Sequence, residues 1–247
     1  MRVLTFASRN TKEIVRDLAT LFFGIAFPIV LMLLLSAINN SIPKGYGPSM
    51  FNIEQLAPGI TVFGLSFLSL FSSMVIAKDR TTSFVLRLFT SPLKPSEFIL
   101  GYTLPLLPMA LIQTAVCYTC SLFLGMKFSV NLIAAVFVNI PMAVVFIALG
   151  LLFGSILNEK AVGGVCGALI TNLSAWFSNI WFDTSMVGGA FKTVADCLPF
   201  SHAVNAARYA AAGDFGAIFP DLWWVIGYAV VLLAAAVTVF ALKLRKN

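Results

Sequence analysis

Residues 18–38 read LATLFFGIAFPIVLMLLLSAI and contain no charged side chain. About 20 apolar residues in a helix cross the hydrocarbon core of a bilayer, which is about 30 Å thick. This stretch therefore predicts a membrane-spanning helix. It is too long for the apolar region of a secretory signal, and no small-residue cleavage site follows it. We expect it to remain in the mature protein and to set the class of the fold.

The composition of the whole chain also indicates a membrane protein. Of its 247 residues, 60% are hydrophobic and 11% are charged, and the mean hydropathy is +0.95. Soluble domains carry about 25% charged residues, so this composition excludes a large soluble enzyme and a disordered chain. The formal charge of +6 does not indicate nucleic-acid binding, because that function needs a basic face on a polar folded surface.

Five more apolar runs follow the first. Helices are expected in all six, because every backbone polar group in lipid must be paired within its own segment, and the alternating ten-residue segments of a membrane barrel do not occur. The predicted fold is an all-α integral membrane protein, a single domain over residues 1–247, with six transmembrane helices. The predicted spans are Leu18–Ile38, Leu56–Ala77, Phe98–Gly125, Leu132–Leu157, Ala161–Phe182 and Leu222–Leu242.

Basic residues predict the orientation, because cytoplasmic loops are enriched in Lys and Arg. Six spans place both termini on one side, and twelve of the sixteen basic residues fall on that side. The other side holds four, Lys44, Lys127, Lys192 and Arg208. We therefore expect a multi-pass protein of the plasma or inner cell membrane with both termini in the cytoplasm.

Residues 1–17 precede the first span and have an amphipathic pattern. Apolar side chains fall roughly on one helical face, and the basic side chains Arg9, Lys12 and Arg16 fall mostly on the other. This pattern is typical of an interfacial helix that lies on the cytoplasmic leaflet. A simple basic anchor that only fixes the topology is the alternative.

The longest predicted cytoplasmic connection, residues 78–95, reads KDRTTSFVLRLFTSPLKP. Its centre, Phe84 to Phe89, is apolar at helical spacing, and Ser91-Pro92 ends the pattern. A short apolar helix beside charges is a candidate docking element for a partner protein. The alternative is a helix that merely lies on the lipid headgroups.

The segment 183–221 before the last span is long, external and mixed in character. Because a structureless loop of this length is unusual, we expect short re-entrant helices that dip into the outer leaflet. Asp183 and Ser201 are the residue types that cap the starts of such helices.

Motifs for catalysis or for an independent energy source do not occur in the sequence. No predicted span holds a convincing internal charge of the kind that ion-coupled carriers use, and no phosphate loop or metalloprotease motif is present. Cys117 and Cys120 have no second ligand pair, so no metal site is expected. In the fifth span, Gly163 and Gly167 have a spacing that permits close helix approach. Thr171, Asn172 and Asn179 in the same span either bond between helices or line a substrate path.

The chain resembles the permease subunits of the ABC-2 type exporter family. The six-span architecture is one match, and the connection after the second span is another, with Asp79-Arg80, Ser83-Phe84, Val85-Leu86-Arg87-Leu88-Phe89, Ser91-Pro92 and Leu100-Gly101-Tyr102. The third match is the stretch from Pro199 to Arg208, which is similar to the family's Pro-x-x-x-x-[VI]-x-x-x-Arg pattern. Leu86 and Thr81 stand where acids are common in the family.

The resemblance implies a partner that supplies the energy. A separate ATP-binding cassette ATPase, which carries the ATP and Mg, would dock under the cytoplasmic face, and a second permease subunit would complete a homo- or heterodimer. No cofactor is expected on this chain, and the chain itself is expected not to be an enzyme. The interfacial helix and the coupling residues would form the interface with the ATPase. Those coupling residues are Phe84, Leu86, Arg87, Leu88, Phe89 and Pro92.

The resemblance also implies a path between the two permeases, lined by the second and fifth spans. The candidate lining residues are Phe67, Phe71, Thr171, Asn172 and Asn179. The uncharged interior favours a hydrophobic or amphipathic cargo such as a drug, as in multidrug efflux, a lipid or a lipid-linked molecule. The alternatives are a secondary carrier that works alone, and a membrane-embedded enzyme that uses His202 and the external Asp residues.

Overall fold

The computed structural model describes residues 2–42, 51–81 and 94–246. These residues form ten helices, which we number in chain order, and no strand. The helices are α1 (Arg2–Arg16), α2 (Leu18–Ser41), α3 (Ile53–Thr81), α4 (Pro95–Phe123), α5 (Asn131–Ile156), α6 (159–176), α7 (Thr184–Val187), α8 (Gly189–Cys197), α9 (Pro199–Ala212) and α10 (Phe215–Lys246).

Five of the described helices are long and apolar enough to cross a membrane, namely α2, α3, α4, α5 and α10. The predicted fifth span, Ala161–Phe182, corresponds to α6, which is not among these five. That helix begins with the charged pair Glu159-Lys160 and ends at Trp176. The chain then turns at Asn179, whose φ is +59°. The described part of the chain therefore contains a helical bundle with five candidate membrane-spanning helices.

The central helix of the bundle is α3, and 83% of its most apolar window is buried inside the protein. Its second half packs against α5, which in turn packs along α10. The α3–α5 contact is close because Gly150 and Gly154 face α3. A Cβ at Gly150 would overlap Ser72 Oγ, and a Cβ at Gly154 would lie 2.6 Å from the Ser73 carbonyl oxygen.

The close approach predicted at Gly163 and Gly167 is not made at Gly163. A Cβ at Gly163 would meet no described atom within 4 Å, whereas one at Gly167 would lie 3.3 Å from Leu70. The spacing of two glycines shows where a close contact is possible, but a neighbouring helix must also face that side. In this chain the neighbour faces Gly150 and Gly154.

The apolar side of α1 is divided between protein and surroundings. Phe6, Ala7 and Ile14 are buried against the bundle, whereas Leu4 and Val15 are 67% and 58% exposed. This division suits a helix that packs on the bundle with one side and meets the membrane interface with the other. The amphipathic helix predicted over residues 1–17 is therefore present and ends at Arg16.

The segment 183–221 folds mainly into α7, α8 and α9. Asp183 caps α7 as predicted, accepting a hydrogen bond from Ser185 N at 2.8 Å. The prediction for Ser201 was wrong: α9 begins at Pro199, and Ser201 Oγ donates to the Ala195 carbonyl oxygen at 2.9 Å. Pro at the first position sets the backbone for a helix start. α9 is held within the bundle by contacts with α10, α5 and α3.

The two ends of the bundle differ in what they hold. One end, which we call the Asp79 end, contains α1, the last turn of α3 and the first turns of α4; the Phe98 and Phe240 rings, 5.6 Å apart, bring α10 to it. The opposite end, which we call the Arg208 end, contains the start of α3, the α4–α5 turn and α7–α9. α1 and the last turns of α10 thus lie at the same end.

Candidate functional site

The candidate site is the Asp79 end, because residues 82–93 connect the two helices that meet there. The predicted coupling residues Phe84, Leu86, Arg87, Leu88, Phe89 and Pro92 lie outside the described residues. The helix ends that flank them are described. The predicted connection 78–95 is shorter than expected, since α3 continues to Thr81 and α4 begins at Pro95.

A buried carboxylate organises this end. Asp79, 2% exposed, accepts hydrogen bonds from Arg9 Nη1 at 2.6 Å and from Arg9 Nη2 at 2.7 Å. The Tyr102 hydroxyl donates to the same carboxylate at 2.9 Å. Bidentate Arg–carboxylate pairs are strong and directional. Asp79 therefore joins α1, α3 and α4 at a single point, and we call Arg9, Asp79 and Tyr102 the clamp.

Further charges surround the clamp. Glu13 lies 3.0 Å from Arg9 and 3.0 Å from Lys78, which adds a second link between α1 and α3. The hydrogen bond with Asp79 is the main reason that the pKa of Arg9 lies above its usual value, although partial burial opposes the shift. The guanidinium therefore keeps its charge over the whole physiological pH range.

Apolar contacts fix α1 to the start of α4. The Phe6 ring packs edge-on against Tyr102 at 4.9 Å and against Phe98 at 5.9 Å. Gly101 leaves room for this ring, because a Cβ there would overlap it. Asn10, fully buried, donates from Nδ2 to the Gly101 carbonyl oxygen at 3.0 Å. α1 is thus docked by both packing and hydrogen bonds.

Arg80 extends the same network to α5. Its Nη1 donates to the carbonyl oxygens of Gly154 at 2.8 Å and Leu157 at 3.2 Å. These carbonyls are at the C-terminus of a helix, where a positive charge is favourable. A displacement of the last turn of α3 would therefore move α1, α4 and α5 with it.

The three basic residues of the predicted interfacial helix have different surroundings. Arg9 belongs to the clamp, whereas Lys12 and Arg16 are exposed. All three line a cavity of about 880 Å³ between α1, α3 and the start of α6, together with Asp17 and Glu159 among others. Cationic side chains on this surface suit contact with a partner or with anionic headgroups.

The predicted path residues fall into separate groups within the chain. Phe67 and Phe71 are buried on α3 against α2, where Phe67 stacks on Phe23 at 5.6 Å. Thr171 is buried, whereas Asn172 is exposed and bonds to its own helix at Ala168 O. A path formed by all of them stays a prediction.

Asn179, the fifth predicted path residue, has a local role in this structure. It lies after the end of α6, and its Oδ1 accepts a hydrogen bond from Thr184 N at 2.9 Å. Its positive φ is unusual for a residue other than glycine, but Asn adopts it more readily than most. It thereby connects the turn after α6 to the first turn of α7.

At the opposite end, His202 joins α8, α9 and α10. Its Nδ1 lies 2.5 Å from Asp221 Oδ1, and its Nε2 lies 2.8 Å from the Asp196 carbonyl oxygen. Both partners accept hydrogen bonds, so the doubly protonated ring satisfies both. Asp221 is the main cause of the raised pKa of His202. Both ring nitrogens are thus engaged by the protein itself.

The described part of the chain contains neither a disulfide nor a cluster of metal ligands. Cys117, Cys120, Cys166 and Cys197 are free thiols. No group of three or more His, Cys, Asp or Glu side chains there could hold a metal ion.

The clamp residues Asp79 and Tyr102 were not identified as site residues from the sequence. Asp79 was assigned to a connection outside the membrane, and its partner Arg9 lies 70 residues away. The only local signal was the acidic-basic pair Asp79-Arg80 next to an apolar run.

The match to a known family covers most of the chain. Residues 1–211 match the ABC-2 type transporter family, whereas no curated protein matches the chain. The matched range contains the whole Asp79 end apart from α10, and it continues through α9 to Ala211. Members of this family are membrane subunits of transporters that associate with an ABC ATPase. The clamped bundle described above thus belongs to a multi-pass membrane protein of the ABC-2 type transporter family.

Proposed function

We propose that the chain is the permease subunit of an ATP-driven exporter, and that its ATPase partner docks at the Asp79 end. The observation that best supports this proposal is the clamp. It joins α1 to α3 and α4, the two helices that residues 82–93 connect. In this proposal α6 is the sixth span, both termini are cytoplasmic in the plasma or inner membrane, and α7–α9 reach into the outer leaflet.

The clamp supports a mechanical role for residues 82–93. When the ATPase binds and hydrolyses ATP with Mg, its movement presses on this connection. Because α3 and α4 are braced by the same carboxylate, they tilt together and carry α1 with them. The buried position of α3 passes the tilt to α5 through the Gly150 and Gly154 contact. Such a shift between two packed arrangements is driven by the partner's different contacts with each.

Exposed apolar surface supports a second permease subunit, identical or different. On α6, Leu169 is 54% and Trp176 is 57% exposed, and a Cβ at Gly163 or Gly164 would meet no described atom of another helix within 4 Å. We propose that the path lies between the two permeases. Its mostly uncharged walls favour a hydrophobic or amphipathic cargo, such as a drug, a lipid or a lipid-linked molecule.

Co-purification tests the partner and its docking position. The tagged chain is co-expressed with a candidate ABC ATPase from the same organism, and retention of the ATPase is measured. We expect retention by the wild type and a loss of most of it in Leu88→Asp, because a charge replaces an apolar contact. Val187→Asp is the matched control, since Val187 is exposed at the Arg208 end. Equal retention by Leu88→Asp and Val187→Asp would contradict docking through residues 82–93.

Transport distinguishes an ATP-driven exporter from a secondary carrier. Inverted vesicles that contain both proteins should accumulate a lipophilic dye with ATP, and not with a hydrolysis-deficient ATPase. The chain alone in liposomes should be inactive. Uphill transport by the chain alone, abolished by an ionophore, would show that it is a secondary carrier.

A further inference from the structure

A polar cavity lies at the Arg208 end, away from the clamp. Its volume is about 330 Å³, and it is bounded by the start of α3, the α4–α5 turn and the last turns of α9. Its polar lining comprises Glu54, Gln55, Lys127, Ser129, Asn131 and Arg208. Three of these six polar residues are charged, one acidic and two basic.

Arg208 has hydrogen-bond acceptors but no counter-ion. Its Nε donates to the Gln55 carbonyl oxygen at 3.3 Å, and its Nη2 donates to the Asn179 carbonyl oxygen at 2.9 Å. All ten Asp and Glu side chains lie in the described residues, and none of them forms a salt bridge with Arg208. Burial lowers the pKa of Arg208, and the attraction of Asp183 opposes this shift only in part. A half-buried cation of this kind favours an anion from outside the chain.

Lys127 and Glu54 provide the other two charges of the cavity. Lys127 is exposed and forms no salt bridge with any of the ten acidic side chains. Glu54 is also exposed, and no described basic side chain pairs with it. Since Glu54 pairs with neither cation, the cavity keeps the two signs of charge apart. A ligand that carries a phosphate and an ammonium group would match this arrangement.

The surroundings of the cavity are apolar and exposed. Phe123, at the end of α4, is 87% exposed, and Phe128 and Val130, on the turn that carries Lys127, are 79% and 71% exposed. Large apolar side chains of this kind favour a lipid environment over water. Lys127 can reach the headgroup level from the same turn. The cavity therefore opens where phospholipid headgroups are available.

We propose that this cavity binds the headgroup of a zwitterionic phospholipid of the phosphatidylethanolamine type. The phosphate lies against Arg208 and Lys127, and the ammonium group lies against Glu54. The acyl chains leave the cavity beside Phe123 and Phe128. The site lies in the outer leaflet if the orientation proposed above holds, but binding itself does not depend on the transport function.

Lipid titration tests this proposal on the purified full-length chain. The chain in detergent is titrated with phosphatidylethanolamine, and bound lipid is counted by native mass spectrometry. Lys127→Gln and Arg208→Gln should each weaken binding on the order of tenfold, the usual effect of losing one charged hydrogen bond. Lys192→Gln is the matched control and should bind as the wild type does, because Lys192 is exposed on α8 outside the cavity.

Glu54→Gln tests whether the site recognises the ammonium group of the lipid. It should weaken binding of phosphatidylethanolamine but not of phosphatidylglycerol, which has no ammonium group. Unchanged phosphatidylethanolamine binding in Lys127→Gln would overturn the proposal, and this variant removes no described salt bridge, so it should fold even if Arg208→Gln does not. Equal competition by glycerophosphoethanolamine or inorganic phosphate would also overturn it, because the site would then recognise a soluble phosphate and not a lipid.

Discussion

The Asp79 end and the Arg208 end each contain an arginine in a contact that joins three parts of the chain. Arg9 reaches a buried carboxylate that also accepts a bond from Tyr102. Arg208 reaches two backbone carbonyl oxygens and no carboxylate. The same type of side chain therefore produces two different results. At the Asp79 end its charge is neutralised within the chain, whereas at the Arg208 end it remains available to an outside anion.

This difference matches the two proposed roles. A coupling element must transmit a displacement while its helices stay in contact, and the bidentate Arg9–Asp79 pair allows this. A binding site for an anion must keep a charge without a counter-ion until the ligand arrives, and the half-buried guanidinium of Arg208 meets that requirement. The following predictions test this contrast, from the largest expected effect to the smallest.

Removal of the buried carboxylate should have the largest effect. Asp79→Ala removes the carboxylate that both Arg9 and the Tyr102 hydroxyl bind, although Arg9 keeps its contact with Glu13. Breaking a buried pair typically costs about 3–5 kcal/mol, and the partial exposure of Arg9 reduces this cost. We expect a clearly lower melting temperature in detergent, measured by tryptophan fluorescence, and weaker ATPase-coupled transport. Asp214→Asn, an exposed acid at the Arg208 end, is the control.

A double variant checks that the loss at Asp79 comes from the clamp. Asp79→Ala combined with Arg9→Gln should cost less than the sum of the two single changes, because they remove the same interaction. Strict additivity would show that Arg9 and Asp79 do not stabilise each other, and the contrast between the two ends would then fail.

Phenylalanines at the two ends provide the next comparison. Phe6→Ala removes a ring that is 6% exposed and packs against Tyr102 and Phe98, so it should destabilise the protein by about 3 kcal/mol. Phe128→Ala removes a ring that is 79% exposed and should change stability by less than about 0.5 kcal/mol. Protease accessibility of α1 should rise only in Phe6→Ala; similar losses of stability would contradict the docking of α1.

The smallest effect should be the pH dependence at the Arg208 end. Asp221 raises the pKa of His202, so its stabilising contribution is complete below the unfolded pKa of about 6.5. It is lost as the pH rises through the folded value. His202→Gln should therefore cost about 1 kcal/mol in acid and progressively less at higher pH. Melting temperatures of both proteins across this range provide the measurement.

Arg9→Gln is the comparison for that experiment. The pKa of Arg9 is raised by Asp79, so the cost of this change should stay constant over the range in which His202 titrates. A His202→Gln cost that grows with pH would mean that the ring is neutral in the folded protein and that Asp221 does not hold its proton.

The apolar spans could be predicted from the sequence because the signal is local. Leu18–Ile38 lies within α2, and Leu132–Leu157 differs from α5 by one residue at each end. The family resemblance was also confirmed over residues 1–211. Arg9 was named from the sequence, but Asp79 and Tyr102 of the clamp were missed, since Asp79 was assigned to a connection and Tyr102 to an apolar run. The sequence around neither residue indicates which distant residue it will contact.

The sequence by itself determined that this chain is a helical membrane protein, because the cost of burying unpaired backbone groups in lipid makes long apolar runs helical. Tertiary structure decided which small residues lie at a helix contact, choosing Gly150 and Gly154 over Gly163. It also decided that Arg9 finds a carboxylate and Arg208 does not. Those outcomes depend on which helices lie next to each other in the fold. That arrangement results from packing contacts between residues that are distant in the chain.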